Sequence, residues 1–212
     1  MGVRGVIFLT GLLTIFGSCR DRQQPAASPI PTENRTIPAP DLPTGEASSN
    51  YAKIDVSPMD MSYFPIEYPK LKMATKNIAP PLARVIYSRP HLGKRRLADI
   101  VKPGKPWRMG ANESTEIQFY KPAQINNVRV APGRYILYCI PDSTKWTIVL
   151  NSNIDSWGLE QDTSKDVHRF DIPTTNNHPS IEYLTIEFER AEDGANLVIS
   201  WDDVVARLPI RF

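Results

Sequence analysis

From residue 80 onward the chain is a succession of short segments rich in β-branched and aromatic residues, nearly every one bounded by Pro, Gly, Asn or Asp. That punctuation constrains the fold more than any other feature, because apolar runs so short and so often broken by turn residues read as strands. The candidates are Ala83 to Ser88, Thr115 to Lys121, Gln124 to Val130, Gly133 to Ile140, Trp146 to Asn151, Val167 to Ile172, Ile181 to Glu189, Ala195 to Trp201 and Val204 to Arg211. Within Ile181 to Glu189, Leu184, Ile186 and Phe188 alternate with Tyr183, Thr185 and Glu187, so the first set faces the core and the second faces out. Ile125-Asn126-Asn127-Val128 predicts a tight hairpin, since Asn tolerates positive φ. Ala131-Pro132-Gly133 and Trp201-Asp202-Asp203-Val204 predict two more turns. Only Leu97 to Val101 suggests a helical turn, and no longer stretch shows a 3.6-residue period. Many short strands joined by close turns predict an all-β domain with mostly antiparallel pairing, an antiparallel β-sandwich, with a β-barrel as the alternative.

The chain begins differently. Arg4 precedes the apolar run Val6 to Phe16, which falls short of the roughly 20 residues that a helix needs to cross a bilayer core of about 30 Å. Residues 1–18 therefore read as a signal peptide, and Phe16-Gly17-Ser18-Cys19 resembles the bacterial lipobox, with Phe16 in place of the usual Leu. In that pattern Cys19 is acylated and becomes the new N-terminus. The chain has only two cysteines. Acylation of Cys19 leaves Cys139 with no intrachain partner, and its place inside Tyr135 to Ile140 predicts a buried, inert thiol. Residues 19–50 carry Pro25, Pro29, Pro31, Pro38, Pro40 and Pro43 among Gln, Ala, Ser and Thr. Such a segment cannot offset its ordering entropy and reads as a disordered tether, spanning roughly 30 Å as a coil and up to roughly 95 Å as a polyproline rod.

Residues 51–212 fit one domain, with the folded part beginning between Asn50 and Pro58. Tyr63 to Pro69 reads as either a lead-in strand or the end of the linker. A domain of that length buries roughly 70% of its unfolded surface without disulfides. Formal net charge is +2 for the whole chain, and no basic cluster stands out beyond Lys94-Arg95-Arg96, which excludes an electrostatic case for nucleic acid.

Several residues carry a family resemblance: Tyr87-Ser88-Arg89-Pro90, Pro106-Trp107-Arg108-Met109-Gly110-Ala111-Asn112-Glu113, Pro132-Gly133-Arg134-Tyr135, Trp146-Thr147-Ile148, and Gly194-Ala195-Asn196-Leu197 to Trp201-Asp202. Together they resemble the family called domain of unknown function 2911, over roughly residues 50 to 212. The resemblance implies an exported or lipid-anchored protein of Bacteroidota or their relatives. It supplies no reaction, no cofactor and no catalytic residue. Arg20-Asp21-Arg22 lacks the acidic run of a surface-displayed lipoprotein of such organisms, which favours the periplasmic face of the outer membrane.

Chemistry is sought in the segment Arg89 to Glu113, about 25 residues between two strands where connections usually take 2–6. Trp107, Arg108, Asn112 and Glu113 bring an aromatic ring, a guanidinium, an amide and a carboxylate together in sequence, a set that binds a glycan, a peptide end or another small ligand. The structural alternative is that Trp107 plugs one end of the fold, Arg108 pairs with Glu113 or Glu116, and Gly110 and Asn112 supply unusual backbone angles. Trp157, after the polar loop Asn151 to Ser156, joins either a binding surface or a sheet edge. His91, His168 and His178 are too scattered for a metal motif, and neither a phosphate loop nor a nucleophile elbow is present. No cofactor is implied. Three functions stay open: a non-catalytic binding module at the cell envelope; a hydrolase using Glu113 with His91 or Asp99; and an assembly partner of another envelope protein.

Overall fold

The computed structural model describes Gly2, residues 57–176 and residues 178–212. The remaining signal-peptide residues, Cys19 and the proline-rich tether lie outside the described residues. All that follows concerns the second of two compact units, Ser49–Phe212. Its elements run β1 (Met59–Phe64), α1 (Tyr68–Ala74), β2 (Ala83–Ser88), α2 (Leu97–Ile100), β3 (Glu116–Phe119), β4 (Ala123–Ile125), β5 (Val128–Val130), β6 (Gly133–Pro141), β7 (Lys145–Asn151), β8 (Asp166–Thr175), β9 (Ile181–Ala191), β10 (Gly194–Asp202) and β11 (Val204–Arg211).

Every strand pairing is antiparallel. The strands follow the order β1-β2-β3-β6-β7-β8-β11-β10-β9. The two ends of this path meet. Past β2, the Leu92 amide donates to the Glu182 carbonyl at 2.9 Å, and the Leu184 amide on β9 donates to the Pro90 carbonyl at 3.0 Å. Lower on the same seam the Phe188 amide donates to Ser62 Oγ on β1 at 3.1 Å. The sheet is thus curled into a nearly closed barrel, so of the two antiparallel all-β arrangements the sequence left open, the molecule takes the barrel-like one.

The weakest seam has its own repair. β8 and β11 share only the pairs Val205–Thr175 and Ala206–Thr174. Beyond them the β4–β5 hairpin fills the gap, joining β11 through Arg211–Gln124 and reaching β8 through Asn126 Nδ2, 3.5 Å from the Asp171 carbonyl. The hairpin closes through Asn126 and Asn127 at φ +47° and +64°, the left-handed pair that the Asn-Asn sequence predicts.

Alternation sets the core. Leu184, Ile186 and Phe188 point inward while Tyr183 and Glu187 are exposed, as their spacing predicts. Val85, Ile117, Leu137, Ile148, Leu197 and Leu208 meet them inside the barrel. Each such side chain contributes about 1.5–3 kcal/mol when fully buried. Cys139 is buried among them, and burial pushes its thiol well up.

Two elements escape the strand pattern. β1 begins four residues before the Tyr63 to Pro69 segment in which a lead-in strand is sought. α1 follows it as a helix that hydropathy does not foreshadow, because Tyr68 alone of its residues is buried and leaves no apolar period. Pro69 near its start supplies a preset φ, and Lys72 sits in the last turn, where the helix dipole favours a cation. Among the described residues no helix is long and apolar enough to cross a membrane.

β10 and β11 approach too closely for any side chain at Gly194. This residue sits at φ +146°, and a Cβ there would run into the Ile210 carbonyl oxygen, a backbone atom that cannot swing aside. Gly194→Ala is expected to lower unfolding stability by about 2 kcal/mol or more, read as a lower denaturant midpoint at unchanged slope; a wild-type midpoint would show that the two strands do not pack this way.

Candidate functional site

Trp107 and Arg108 are neighbours in sequence but not in space. Trp107 continues the sheet beside β6, its amide donating to the Cys139 carbonyl at 2.7 Å and its carbonyl accepting from the Cys139 amide at 2.9 Å. Directly opposed residues share a face, so the Trp107 ring turns inward with Cys139, and Arg108 turns outward. Inside, the Trp107 ring stacks on Trp201 with centroids 5.9 Å apart and meets Trp146 edge-on at 5.7 Å. These three rings floor one end of the barrel.

Outside, Arg108 works as a staple. Its guanidinium donates to the carbonyls of Gly110 at 3.4 Å, Asn112 at 3.1 Å and Trp157 at 3.4 Å. The first two bonds fix the tight turn 109–112, in which Met109 and Asn112 take φ +52° and +61°. The third pins the loop after β7 onto that turn. Gly158, at φ +77°, lies so close to Ser114 that a Cβ would strike its Oγ. Trp157 stands above this junction, 56% exposed. Glu113 is exposed beside it, in a groove of about 410 Å³ shared with Met59, Arg84, Ile86, Glu116 and Arg134. Glu116 is held by Arg134 at 2.7 Å, so the pairing of Arg108 with Glu116 gives way to a β3–β6 ion pair.

The sequence block is therefore divided between two places. Arg108, Asn112, Glu113 and the Trp157 loop gather on the outer surface, whereas Trp107 faces the interior. His91 lies elsewhere, bridged to Tyr183 on β9 with ring centroids 5.8 Å apart. Asp99 caps α2, accepting the Arg96 amide at 2.8 Å. Among the described residues no hydrogen bond or ion pair joins His91 or Asp99 to Glu113, and no three His, Cys, Asp or Glu side chains gather to hold a metal ion.

A concavity lies at the tryptophan-floored end. It measures about 230 Å³ and is lined by α2 with Val101 and Pro103, by Pro141, Asp142, Ser143 and Trp146 at the β6–β7 turn, by Thr174 and Asn176, and by Asp202 to Val204. The mouth of a barrel is a common place for a ligand pocket, although most pockets are roughly 300–1,000 Å³. Its architecture depends on Asp202, only 2% exposed and held at φ +54° in the β10–β11 turn. The carboxylate accepts from the Leu97 amide at 3.0 Å, Ser180 Oγ at 3.0 Å and Arg96 Nε at 2.8 Å. Arg96 also reaches Asp203 at 3.2 Å. Two of these bonds reach the start of α2, so the small helix is fastened over the barrel end.

The sequence marks part of this mouth, with Leu97 to Val101 as a helical turn and Trp146 and Asp202 within the family resemblance, but it brings none of these residues together. Asp202-Asp203 reads as a turn and Arg96 as part of a solvated basic triplet. For Asp202 the foretelling signal is the turn itself, since an Asp required at positive φ tends to use its carboxylate locally.

A family model described as "Protein of unknown function (DUF2911)" matches residues 69–210. No curated protein and no solved structure matches the chain.

The two mouth aspartates carry very different burdens. Asp202→Ala strands a buried amide and hydroxyl and is expected to cost about 2–4 kcal/mol. Asp203→Ala breaks only a contact to an exposed arginine and is expected to cost less than about 1 kcal/mol. Chemical denaturation of both variants distinguishes them, and equal losses would show that α2 is not fastened through Asp202.

Proposed function

Because the chain belongs to the DUF2911 family, whose description assigns no activity, we propose from the chemistry of its own site that it is a non-catalytic binding module. The barrel mouth takes one sugar unit of a glycan. The observation that carries this reading is the lining of the mouth: Trp146, Val101 and the prolines Pro103 and Pro141 give an apolar wall, and Asp142, Ser143, Thr174 and Asn176 give a rim of hydroxyl, amide and carboxylate groups. A pyranose presents that same division between an apolar ring face and an edge of hydroxyls. A volume of about 230 Å³ suits one ring better than an extended peptide.

Catalysis fits the mouth less well. Asp202 and Asp203 are engaged by Arg96, with the Leu97 amide and Ser180 also on Asp202, so these carboxylates serve as fasteners rather than as groups free to pass a proton. The outer groove does not bring His91 to Glu113 either. Glu113 stands with the Trp157 loop, whereas the His91 imidazole lies against Tyr183 on β9.

The second part of the proposal is location. An apolar run too short to span a bilayer, ending in Gly17-Ser18-Cys19, supports export and acylation of Cys19, with the barrel held at the envelope, on the periplasmic side of the outer membrane, by the proline-rich segment. The two or three acyl chains of such an anchor give lasting attachment, which one chain does not.

Both parts are testable. Labelling with radioactive palmitate marks the wild type and not Cys19→Ala; label on the alanine variant removes the anchor. Titration with a panel of neutral oligosaccharides, beside short peptides, is read by tryptophan emission, since Trp107, Trp146 and Trp201 lie at the mouth. The Asp142→Ala/Asn176→Ala double variant is expected to lose roughly tenfold or more in saccharide affinity at unchanged melting temperature, the loss of about two hydrogen bonds. Binding that survives it, or that instead vanishes in Trp157→Ala, moves the site to the outer groove.

A further inference from the structure

Along one flank of the barrel, the outward side of β1 and most of α1 leave a strip of apolar surface uncovered. Met59, Met61 and Leu71 are 51, 49 and 45% exposed, and Met73 is 84% exposed. From Met61 to Tyr68 the strip is continuous: Tyr63 Oη lies 2.9 Å from Met61 Sδ, and the Tyr63 ring packs on Tyr68 at 5.3 Å. Tyr63 and Tyr68 then form a cavity of about 350 Å³ with Pro69, Lys72 and Met73. Exposed apolar residues scattered singly are ordinary, whereas a contiguous run of them marks a contact surface.

The charge around the strip is divided along its length: exposed Glu113 shares the groove at Met59, and lysines gather at the α1 end. Asp60 is paired with Arg89 and Glu67 with Arg190. Among the described residues Lys70, Lys72 and Lys76 form no ion pair within 4.0 Å; Lys70 lies close enough to Glu67 to help hold its carboxyl below the usual range, and Lys72 lines the same cavity as Met73.

We infer that this strip is a membrane-contact surface, fitted to a bilayer with anionic headgroups. The inference rests on the proposed anchor at Cys19. Residues 19–56 join that cysteine to the strip, which begins at Met59, and a chain of that length spans at most roughly 130 Å even fully extended. An anchored barrel is therefore held within reach of the bilayer, where a weak contact suffices to orient it. Methionine is suited to an irregular acyl boundary because it is unbranched and polarisable. Lysine stems lie along apolar surface while their heads reach the phosphates.

The orientation that follows is specific. α1 adjoins the barrel end formed by Phe64, Phe119 and Gly133, since Phe64 pairs with Ala83, Ala83 with Phe119 and Phe119 with Gly133. The mouth lies at the other end of β6, at Pro141. Resting on the strip leaves the mouth open to solvent.

The test uses the full lipidated chain with Met73→Cys carrying an environment-sensitive dye, in vesicles of phosphatidylethanolamine with phosphatidylglycerol or of phosphatidylcholine alone. A blue-shifted emission, quenched by brominated acyl chains, is expected at position 73 in the anionic vesicles. The same dye on Lys105→Cys, at the mouth, is expected to stay in water. Lys72→Gln weakens the contact equilibrium about fivefold, the effect of one lysine near an anionic surface. Dye in water at position 73 on both vesicles, an equal shift on phosphatidylcholine, or a shift that appears only when envelope protein extract is added overturns the surface. The wild type reports on the anchor separately, because Cys139 is buried and an acylated Cys19 takes no dye. Should the wild type take dye, the anchor fails, and vesicles added to the unanchored Met73→Cys chain decide the surface alone: a shift upholds it and no shift overturns it.

Discussion

The rest of the molecule depends on the join between Pro90–Leu92 and β9. Without it the sheet is an open ribbon with two long edges of unpaired amides and carbonyls, which invites pairing with other chains. Two backbone bonds, Leu92 to Glu182 and Leu184 to Pro90, convert that ribbon into a barrel with a single interior. Most other pairings link strands adjacent or close in sequence, and this one joins residues that lie 90 and 94 positions apart. Its loop-closure entropy must be met by burial elsewhere, chiefly of Leu184, Ile186 and Phe188 against residues from β2, β3 and β6. The chain leaving the join runs directly into α2, so closing the barrel and covering its mouth are consecutive events along the sequence.

Inside and outside are chemically distinct at the tryptophan-floored end. Stacked indoles shut off the core, Cys139 lies sealed beneath them, and the polar groups stand above in a ring. The outer face of β6 and β7 is treated differently. The loop 152–165 covers it, with Tyr138 Oη donating to the Asp166 carboxylate at 2.9 Å, and burial together with that carboxylate pushes the tyrosine pKa up. Both arrangements keep polar atoms paired wherever the sheet is covered, and the cost of leaving them unpaired explains why so much of the molecule's hydrogen bonding gathers at these two covers.

Period-two alternation made most of the barrel legible in the sequence. Leu184, Ile186 and Phe188 announce an inward face, and Asn126-Asn127 announces a hairpin. α1 was not legible because a helix that buries one tyrosine has no apolar period to read. The choice between sandwich and barrel was equally hidden, since the deciding bonds run through backbone at Pro90 and Leu92, where side-chain pattern says nothing. For the candidate site, adjacency in sequence was a poor guide. Trp107 and Arg108 look like one constellation, yet extended backbone sends consecutive side chains to opposite faces. The mouth is assembled from Arg96, Asp142, Asn176 and Asp202, which only the completed barrel brings together.

Asp202 holds two offices at once. Its left-handed backbone reverses the chain between β10 and β11, and its carboxylate ties down α2. Any change there alters the turn and the cover together, so natural variation has little room at that position. Asp142, Ser143 and Asn176 are exposed on the rim, and the β6–β7 turn is closed by the Asp142 backbone amide donating to the Lys145 carbonyl at 2.9 Å, a bond that does not depend on the side chain. The chemistry of the rim can thus change by exchange of these residues while the barrel beneath stays fixed.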